Sequence, residues 1–301
     1  MGIHRNLLIS FKSLFIFFQM IKFEHTVFAL PFAYIGVFLA ANGFPTFREF
    51  VLITIAFTSA RTYAMTLNRL LDLKYDSKNP RTTERHLVKG TIKKKTAFYG
   101  VIISLLVFVF SAYLLGPLPF ALTPVAVFFL SFYHITKRFT YLSHFFLGIT
   151  DGLAPAGGWV AIKGSFFSLV DLPAWLLIFI VTFWIAGFDI LYQCQDVDFD
   201  RKEGLHTIPS IFGIEKALKA ARLCHFITIL GLIWLGVFLS FSIPYLISLV
   251  IIIWLLIKEH KLISPHDLSK LDMAFFNMNG YISIIIFFGI MISIFLNKYS
   301  T

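Results

Sequence analysis

The chain has 301 residues, 58% of them hydrophobic, a mean hydropathy of +0.81 and only 14% charged residues. An ordinary soluble domain carries about 25% charge, whereas runs such as Leu105–Leu115 and Leu246–Ile257 carry none. This composition excludes a soluble fold, a disordered chain and a disulfide scaffold, and it argues against an outer-membrane barrel of short alternating strands. What remains is an all-α, polytopic membrane protein. The two cysteines, Cys194 and Cys224, are too few for a disulfide framework.

A membrane crossing needs about 20 mostly apolar residues, which predicts roughly nine spans near 14–41, 47–70, 96–116, 118–136, 142–162, 171–193, 216–240, 243–257 and 274–296. The eighth is short, and only Gly116-Pro117 separates the third from the fourth. No small-residue cleavage site follows a short apolar core, so the first span is expected to stay as an anchor.

Charge sets the orientation. With the N-terminus cytoplasmic, the inner segments hold 21 basic residues, from Arg5, Lys12 and Lys22 through the basic run between Lys74 and Lys95 to Lys270. The outer side holds only Arg48, Lys163 and Lys298. The net charge of +10 is therefore a topology signal, and nucleic acid is not needed to explain it. The expected arrangement is nine helices around a central cavity, N-terminus inside, in the cell (inner) membrane.

Only 16 residues are acidic, and seven of them cluster in two inner loops. Asn68, Asp72 and Asp76 follow the second span; Asp196, Asp198 and Asp200 follow the sixth. Asp72 and Asp196 are 124 positions apart, as are Asp76 and Asp200, and Lys78 and Lys202. Residues 1–301 are thus expected to form one domain of two degenerate halves, with Asp-rich loops near 68–95 and 192–213.

A step of four residues drifts by only about 40° around a helix, so Asn68, Asp72 and Asp76 share a face if the helix continues, and Asp196 and Asp200 repeat the pattern. Two facing carboxylate pairs suit Mg²⁺, which takes one or two carboxylates together with waters and phosphate oxygens. Basic residues nearby make a metal-bridged diphosphate the expected ligand. The plain alternative is a set of solvated loop acids. Asp198 breaks the spacing, which points it elsewhere on a helix and leaves a surface role and a site role equally open.

Arg61 lies seven residues before Asn68, on the same face and about two turns deeper. An ionisable group at that depth marks a functional site, here an anchor for diphosphate or for an acidic acceptor. Lys137 and Arg138, after the fourth span, serve topology or clamp diphosphate; Arg81 and Arg85 read the same way. Lys22, Glu24 and His25 reach the same cavity or pair among themselves. Asp151 and Asp189 stand near or within spans and carry only a weak functional signal. Cys194 reads as a packing residue and Gly157-Gly158 as a helix-packing feature. Some of the 37 Phe residues are expected to line an isoprenoid channel and to face a carbocation.

With these motifs in place, the chain resembles the UbiA family of intramembrane aromatic prenyltransferases over nearly its whole length. The resemblance rests on Asn68-x-x-x-Asp72-x-x-x-Asp76, Asp196-x-x-x-Asp200, the Asn79–Thr82 run, Tyr133-x-x-x-Lys137-Arg138, Lys202-x-Gly204 and Arg61. His86 departs from the Pro that ubiquinone-pathway members often carry, and the Ile21–Pro31 segment is closer to the menaquinone-pathway branch. The resemblance implies two Mg²⁺ ions held by Asn68, Asp72, Asp76, Asp196 and Asp200. It also implies a polyprenyl diphosphate bound by Lys137, Arg138, Arg81, Arg85, Lys202 and Tyr133, and an aromatic acid, 4-hydroxybenzoate foremost, at Arg61. No obligatory protein partner is expected. A futalosine-derived acid, dihydroxynaphthoate or haem stays open as acceptor, and a divalent-cation transporter is the reading from another class. Chain length, oligomeric state and the acceptor of the ring proton stay open.

Overall fold

The computed structural model describes residues 14–271 and 273–299. Arg5, Lys12 and the side chains of Glu24, His25 and Lys298 lie outside the described residues. The described residues contain no β-strand; one isolated bridge joins Ser264 and Asp267. The main helices are α1 (Phe23–Ala41), α2 (Phe47–Leu71), α3 (Leu73–Asp76), α4 (Lys94–Leu115), α5 (Pro117–Ala121), α6 (Thr123–Thr136) and α7 (Ser143–Lys163). They continue with α8 (Leu172–Gln193), α9 (Val197–Glu203), α10 (Ile208–Phe212), α11 (Ile214–Phe238), α12 (Ile243–Leu262) and α13 (Asn279–Tyr299).

Seven helices among the described residues are long and apolar enough to cross a membrane. Two further apolar helices, Ala29–Ala41 and Thr123–Thr136, are shorter. Helices therefore stand at all nine expected positions, seven of them with the full length and hydropathy of a span. The eighth is longer than its sequence pattern suggested, running to Leu262 because Lys258, Glu259 and His260 continue the helix past the apolar run.

Local sequence explains the breaks. Thr46 and Glu49 form a reciprocal capping box at the start of α2, the Glu49 amide donating to Thr46 Oγ1 and the Thr46 amide to Glu49 Oε2. Gly116 adopts φ 146°, which L-residues disfavour, and Pro117 opens the next helix. That pair splits the third span from the fourth and leaves α5 and α6 as short pieces.

Packing follows the logic of a bilayer. On α4 the buried residues are small or compact, namely Ala97, Val101, Ser104, Ser111 and Ala112, and they face α2. Its large side chains, including Phe98, Ile103, Leu106 and Phe110, point outward. In water such a surface would aggregate; against lipid it needs no cover. Close approach is enforced at Gly148, where a Cβ would collide with the Thr182 carbonyl of α8, and at Gly158, where it would strike Ala33 O of α1 at 2.7 Å. Gly157, by contrast, has nothing within 4 Å of its Cβ position. Only one half of the Gly157-Gly158 pair packs helices; the other faces a cavity.

Two cavities result. One of about 530 Å³ lies between α1, α2, α7, α8 and α13, and the other, about 220 Å³, lies between α2, α4, α6 and α7. Both are lined by Arg61 and Asp151. A buried chain of hydrogen bonds fixes one wall of the larger cavity: Trp184 Nε1 donates to Asn279 Oδ1 (2.8 Å), and Asn279 Nδ2 donates to the fully buried Glu259 (3.2 Å). Gly148→Leu is expected to force α7 and α8 apart, costing about 1–3 kcal/mol or more as overpacking. Gly157→Ala is expected to leave stability almost unchanged. Thermal unfolding of the two variants in detergent measures the contrast.

Candidate functional site

Two helices of the fold are interrupted at the same chemical residue. Helix α2 ends at Leu71, Asp72 adopts φ −92°, ψ 2°, and α3 begins at Leu73. Near the end of α8 the chain tightens into a 3₁₀ turn, Cys194–Asp196, and Asp196 adopts φ −102°, ψ 8° before α9 begins. Both aspartates thus occupy the sparsely populated bridge region, 124 residues apart. The condition for Asn68, Asp72 and Asp76 to share a face by spacing alone, a helix that continues, is not met: the helix breaks at Asp72. The Asp72 carbonyl still accepts from the Asp76 amide (2.8 Å), so the two acids remain one turn apart.

All four expected carboxylates are buried, at 2–7% exposure. Each carboxylate is already engaged. Lys137 Nζ reaches Asp72 Oδ2 at 2.9 Å, and Arg138 Nη2 reaches Asp72 Oδ1 at 3.4 Å while also donating to Leu71 O at the end of α2 (2.8 Å). Arg85 Nη1 meets Asp76 Oδ2 at 2.5 Å. Arg81 binds Asp196 bidentately, Nη2 to Oδ2 at 2.6 Å and Nε to Oδ1 at 3.1 Å. Burial opposes the charge on Arg81, but the hydrogen bonds to Asp196 and its negative charge outweigh it and raise the guanidinium above its usual range. Asp200 has no cation in this set; Gln193 Nε2 (2.8 Å) and Thr207 Oγ1 (3.1 Å) both donate to its Oδ2.

The two loops are therefore clasped together. Asn79 is the hinge of that clasp: its Oδ1 accepts the Arg81 amide (3.0 Å) and its Nδ2 donates to Asp196 Oδ1 (3.0 Å). Lys78 reaches Glu203 across the same gap at 2.6 Å. Asn68 Nδ2 lies 3.2 Å from Asp72 Oδ2 and 3.1 Å from His134 Nδ1.

Two expected residues sit elsewhere. Tyr133 lines the smaller cavity with Arg61, below the loops. Lys202 is exposed on α9 and contacts none of the four carboxylates; Asp198 is exposed as well. Four supporting residues escaped the sequence reading: Asn79, beyond its place in the Asn79–Thr82 run, and His134, Gln193 and Thr207. Only Thr207 carried a local signal, the Thr207-x-x-Ser210 cap at the start of α10.

Among the described residues no three His, Cys, Asp or Glu side chains are grouped so as to hold a metal by themselves. The donor set nevertheless fits Mg²⁺ of the kind that arrives with phosphate. Its hard carboxylate oxygens sit on two loops, and the remaining coordination falls to waters and phosphate oxygens. The four basic partners, Lys137, Arg138, Arg81 and Arg85, are the groups a diphosphate would engage.

Residues 29–281 match the model of the UbiA prenyltransferase family. The chain belongs to the UbiA prenyltransferase family. It is 28% identical over 259 residues to the 4-hydroxybenzoate octaprenyltransferase of Methylobacillus flagellatus, covering 86% of this chain and 85% of that one. A solved UbiA homolog from Aeropyrum pernix K1, in its apo form, shares 32% identity at a TM-score of 0.81, covering 89% of this chain and 98% of that chain. A UbiA homolog from Archaeoglobus fulgidus, bound to DMAPP and Mg2+, aligns at a TM-score of 0.62 with 18% identity, over 90% of this chain and 98% of that one. This UbiA-family chain is a multi-pass helical membrane protein and a prenyltransferase.

Loss of the Asn79 amide would unclasp the loops. A hydrogen bond to a charged group is worth about 1.5–3 kcal/mol. Asn79→Ala is therefore expected to raise trypsin cleavage at Arg81, Arg85 and Lys89 in detergent micelles about tenfold or more.

Proposed function

We propose that this UbiA-family enzyme transfers a polyprenyl group from polyprenyl diphosphate to a small aromatic acid, 4-hydroxybenzoate, in quinone biosynthesis. The observation that carries this reading is a double acidic loop, Asp72/Asp76 and Asp196/Asp200, with Lys and Arg partners on all but Asp200, linked by the helix that bears Asn68 and Asp72 to cavities lined by Arg61. One domain of two degenerate halves supplies the site, each half contributing one loop. The 21-to-3 distribution of basic residues supports loops on the cytoplasmic side of the cell (inner) membrane.

Asp72, Asp76, Asp196 and Asp200, with Asn68, would hold two Mg²⁺ ions. When bound, Mg²⁺ supplies the positive charge that stabilises the departing diphosphate, so that the allylic C–O bond ionises. Lys137, Arg138, Arg81 and Arg85 exchange their carboxylate partners for phosphate oxygens. The charges of Asp72, Asp76 and Asp196 stay compensated throughout, which a buried ion requires, and Asp200 keeps its hydrogen bonds from Gln193 and Thr207. Lys202, exposed beside the site, takes part only at the rim. The 220 Å³ cavity, with Phe57, Phe108, Leu115, Leu122, Val125 and Leu130 among its walls, suits the hydrocarbon tail. Arg61 binds the acceptor carboxylate, and the aromatic walls of the larger cavity, Phe32, Trp184 and Phe188, take the ring. No protein partner is required by this scheme; the bilayer is the environment of both substrate tail and product.

Asp72→Ala or Asp196→Ala is expected to lower transfer from geranyl diphosphate to 4-hydroxybenzoate by 100-fold or more at saturating Mg²⁺. Near-normal turnover in both variants would show that the two loops do not form the metal-diphosphate site. Arg61→Ala is expected to raise the KM for the aromatic acid far more than that for the prenyl diphosphate. Arg61→Lys should rescue only partly, because a point charge does not reproduce the two-pronged contact of a guanidinium with a carboxylate. Steady-state kinetics with each substrate varied in turn reads the difference.

A further inference from the structure

Helix α4 opens against the usual preference of helix starts. The positive end of a helix dipole favours acids in the first turn. Glu49 stands there in α2 and Glu215 in α11, where Lys219 pairs with it at 2.7 Å. In α4, Lys93 is the N-cap residue and Lys94 and Lys95 begin the helix, with no acid in the turn and no side-chain cap. All three lysines are exposed. Among the described residues none of the three closes an ion pair, whereas Lys78, Lys89, Lys137 and Lys219 all do. Orientation in the bilayer does not require this crowding. Lysines anywhere in the preceding loop count equally towards topology, and only those in the first turn work against the dipole.

The surface that continues from these lysines is apolar. A helix turns about 100° per residue, so Lys95, Tyr99, Ile102, Leu106 and Phe110 fall on one stripe about 80° wide. The four apolar members are all exposed. Ala97, Val101 and Ser104 on the other side of α4 pack against α2, so the stripe is turned to lipid. It runs about 22 Å from Lys95 to Phe110 at the helical rise, longer than the roughly 15 Å of hydrocarbon in one leaflet. Lys95 Nζ lies 6.0 Å from the centre of the Tyr99 ring, which puts its charge where the apolar stripe begins. Ile92, buried with Leu87 and Ala97 against Met20 and Ile21, holds the turn in place. A cationic cluster above an apolar stripe is complementary to an anionic headgroup carried on an acyl chain. A soluble anion matches only the lysines, and a lipid without net charge matches only the stripe.

We propose that Lys93, Lys94 and Lys95 bind the phosphate of an anionic phospholipid, whose acyl chain lies along the Tyr99–Phe110 stripe of α4, in the leaflet that borders the two acidic loops. The phosphate supplies the negative charge that the first turn of α4 omits, and it offsets three like charges set side by side. The site is distinct from the place assigned to diphosphate, since none of the three lysines pairs with Asp72, Asp76, Asp196 or Asp200. It stands at the far end of the loop that carries Arg81 and Arg85, and so ties that end to the membrane surface. Each lysine near an anionic surface contributes roughly fivefold to binding.

The test uses the full chain in an uncharged detergent, titrated with phosphatidylglycerol or with phosphatidylcholine of the same acyl chains. Native mass spectrometry counts the retained lipid, and thermal unfolding follows stability. Wild type is expected to bind phosphatidylglycerol about tenfold or more tighter than phosphatidylcholine. The triple variant Lys93→Gln, Lys94→Gln, Lys95→Gln should lose that preference, and Arg at the same three positions should keep it. A control that removes equal charge elsewhere, Lys216→Gln, Lys219→Gln, Lys258→Gln, should keep it too. Without lipid, the Gln variant at 93–95 should unfold at the wild-type temperature or above it, because cations have left the positive end of the dipole. Added phosphatidylglycerol should then lift wild type above that variant. Glycerol phosphate at the same concentration should not displace the lipid. No preference in wild type, a preference that survives the Gln variant, an equal loss in the control, or displacement by glycerol phosphate each overturns the proposal. So does a Gln variant that is less stable than wild type without lipid, since the lysines would then serve the fold.

Discussion

Charge compensation in a nearly dry space governs this structure. Asp72, Asp76 and Asp196 are buried and each is matched to Lys137 and Arg138, Arg85 or Arg81. Removing one partner of such a pair costs about 3–5 kcal/mol, because the other is stranded. The Arg81–Asp196 pair therefore acts as a clasp between two loops far apart in sequence, while the other pairs fix the first loop to itself and to the end of α6. They are also the reason those loops fold into defined turns, with Asn79 and Thr82 bonded back to Arg81 and Asp76, rather than remaining solvated linkers. The same charges are reusable. A metal-bound anion can replace the internal pairing in kind, cation for cation and anion for anion, so binding need not leave an ion exposed to a low dielectric.

The break in the helix at each leading aspartate makes the clasp geometrically possible. A continuous helix would carry Asp76 and Asp200 onward along straight axes. Bending at Asp72 and Asp196 instead turns α3 and α9 toward each other, so that residues 78–81 meet the 196–203 segment. Beneath the break, α2 runs straight down, and the heptad step from Asn68 to Arg61 carries a cation into the region where both cavities meet. The site thus has a polar upper storey, set by loops, and a lower one set by helix packing.

Much of this was legible in the chain. The membrane class, the positions of the seven span-length helices, the two acidic clusters and their 124-residue offset follow from hydropathy and spacing, because bilayer thickness and helical pitch are fixed lengths. The family resemblance named four carboxylates and the bases Lys137, Arg138, Arg81 and Arg85 that lie together, and it also named Lys202 and Tyr133, which lie apart from them. What escaped was set by long-range contact. Nothing local says that Gln193 and Thr207 hold Asp200, or that His134 touches Asn68; those partners are fixed by how helices meet. Tyr133 was grouped with Lys137 because they share a motif, yet four residues along a helix carry one toward the cavity and leave the other at the rim. The helix break at Asp72 was also invisible, since an Asp tolerates both the helical and the bridge conformation.

Gly157 points to a separation of concerns within α7. One residue further on, Gly158 is locked against α1 and answers to folding. Gly157 is exposed, has open space at its Cβ position and borders the apolar cavity. Volume added there shortens the room available to a hydrocarbon guest without wedging two helices apart. If that cavity houses the tail, α7 carries a length gauge whose setting can drift by single substitutions while the scaffold stays intact. Adjacent positions of one helix would then be free to evolve under unrelated pressures, one for assembly and the other for the size of the product.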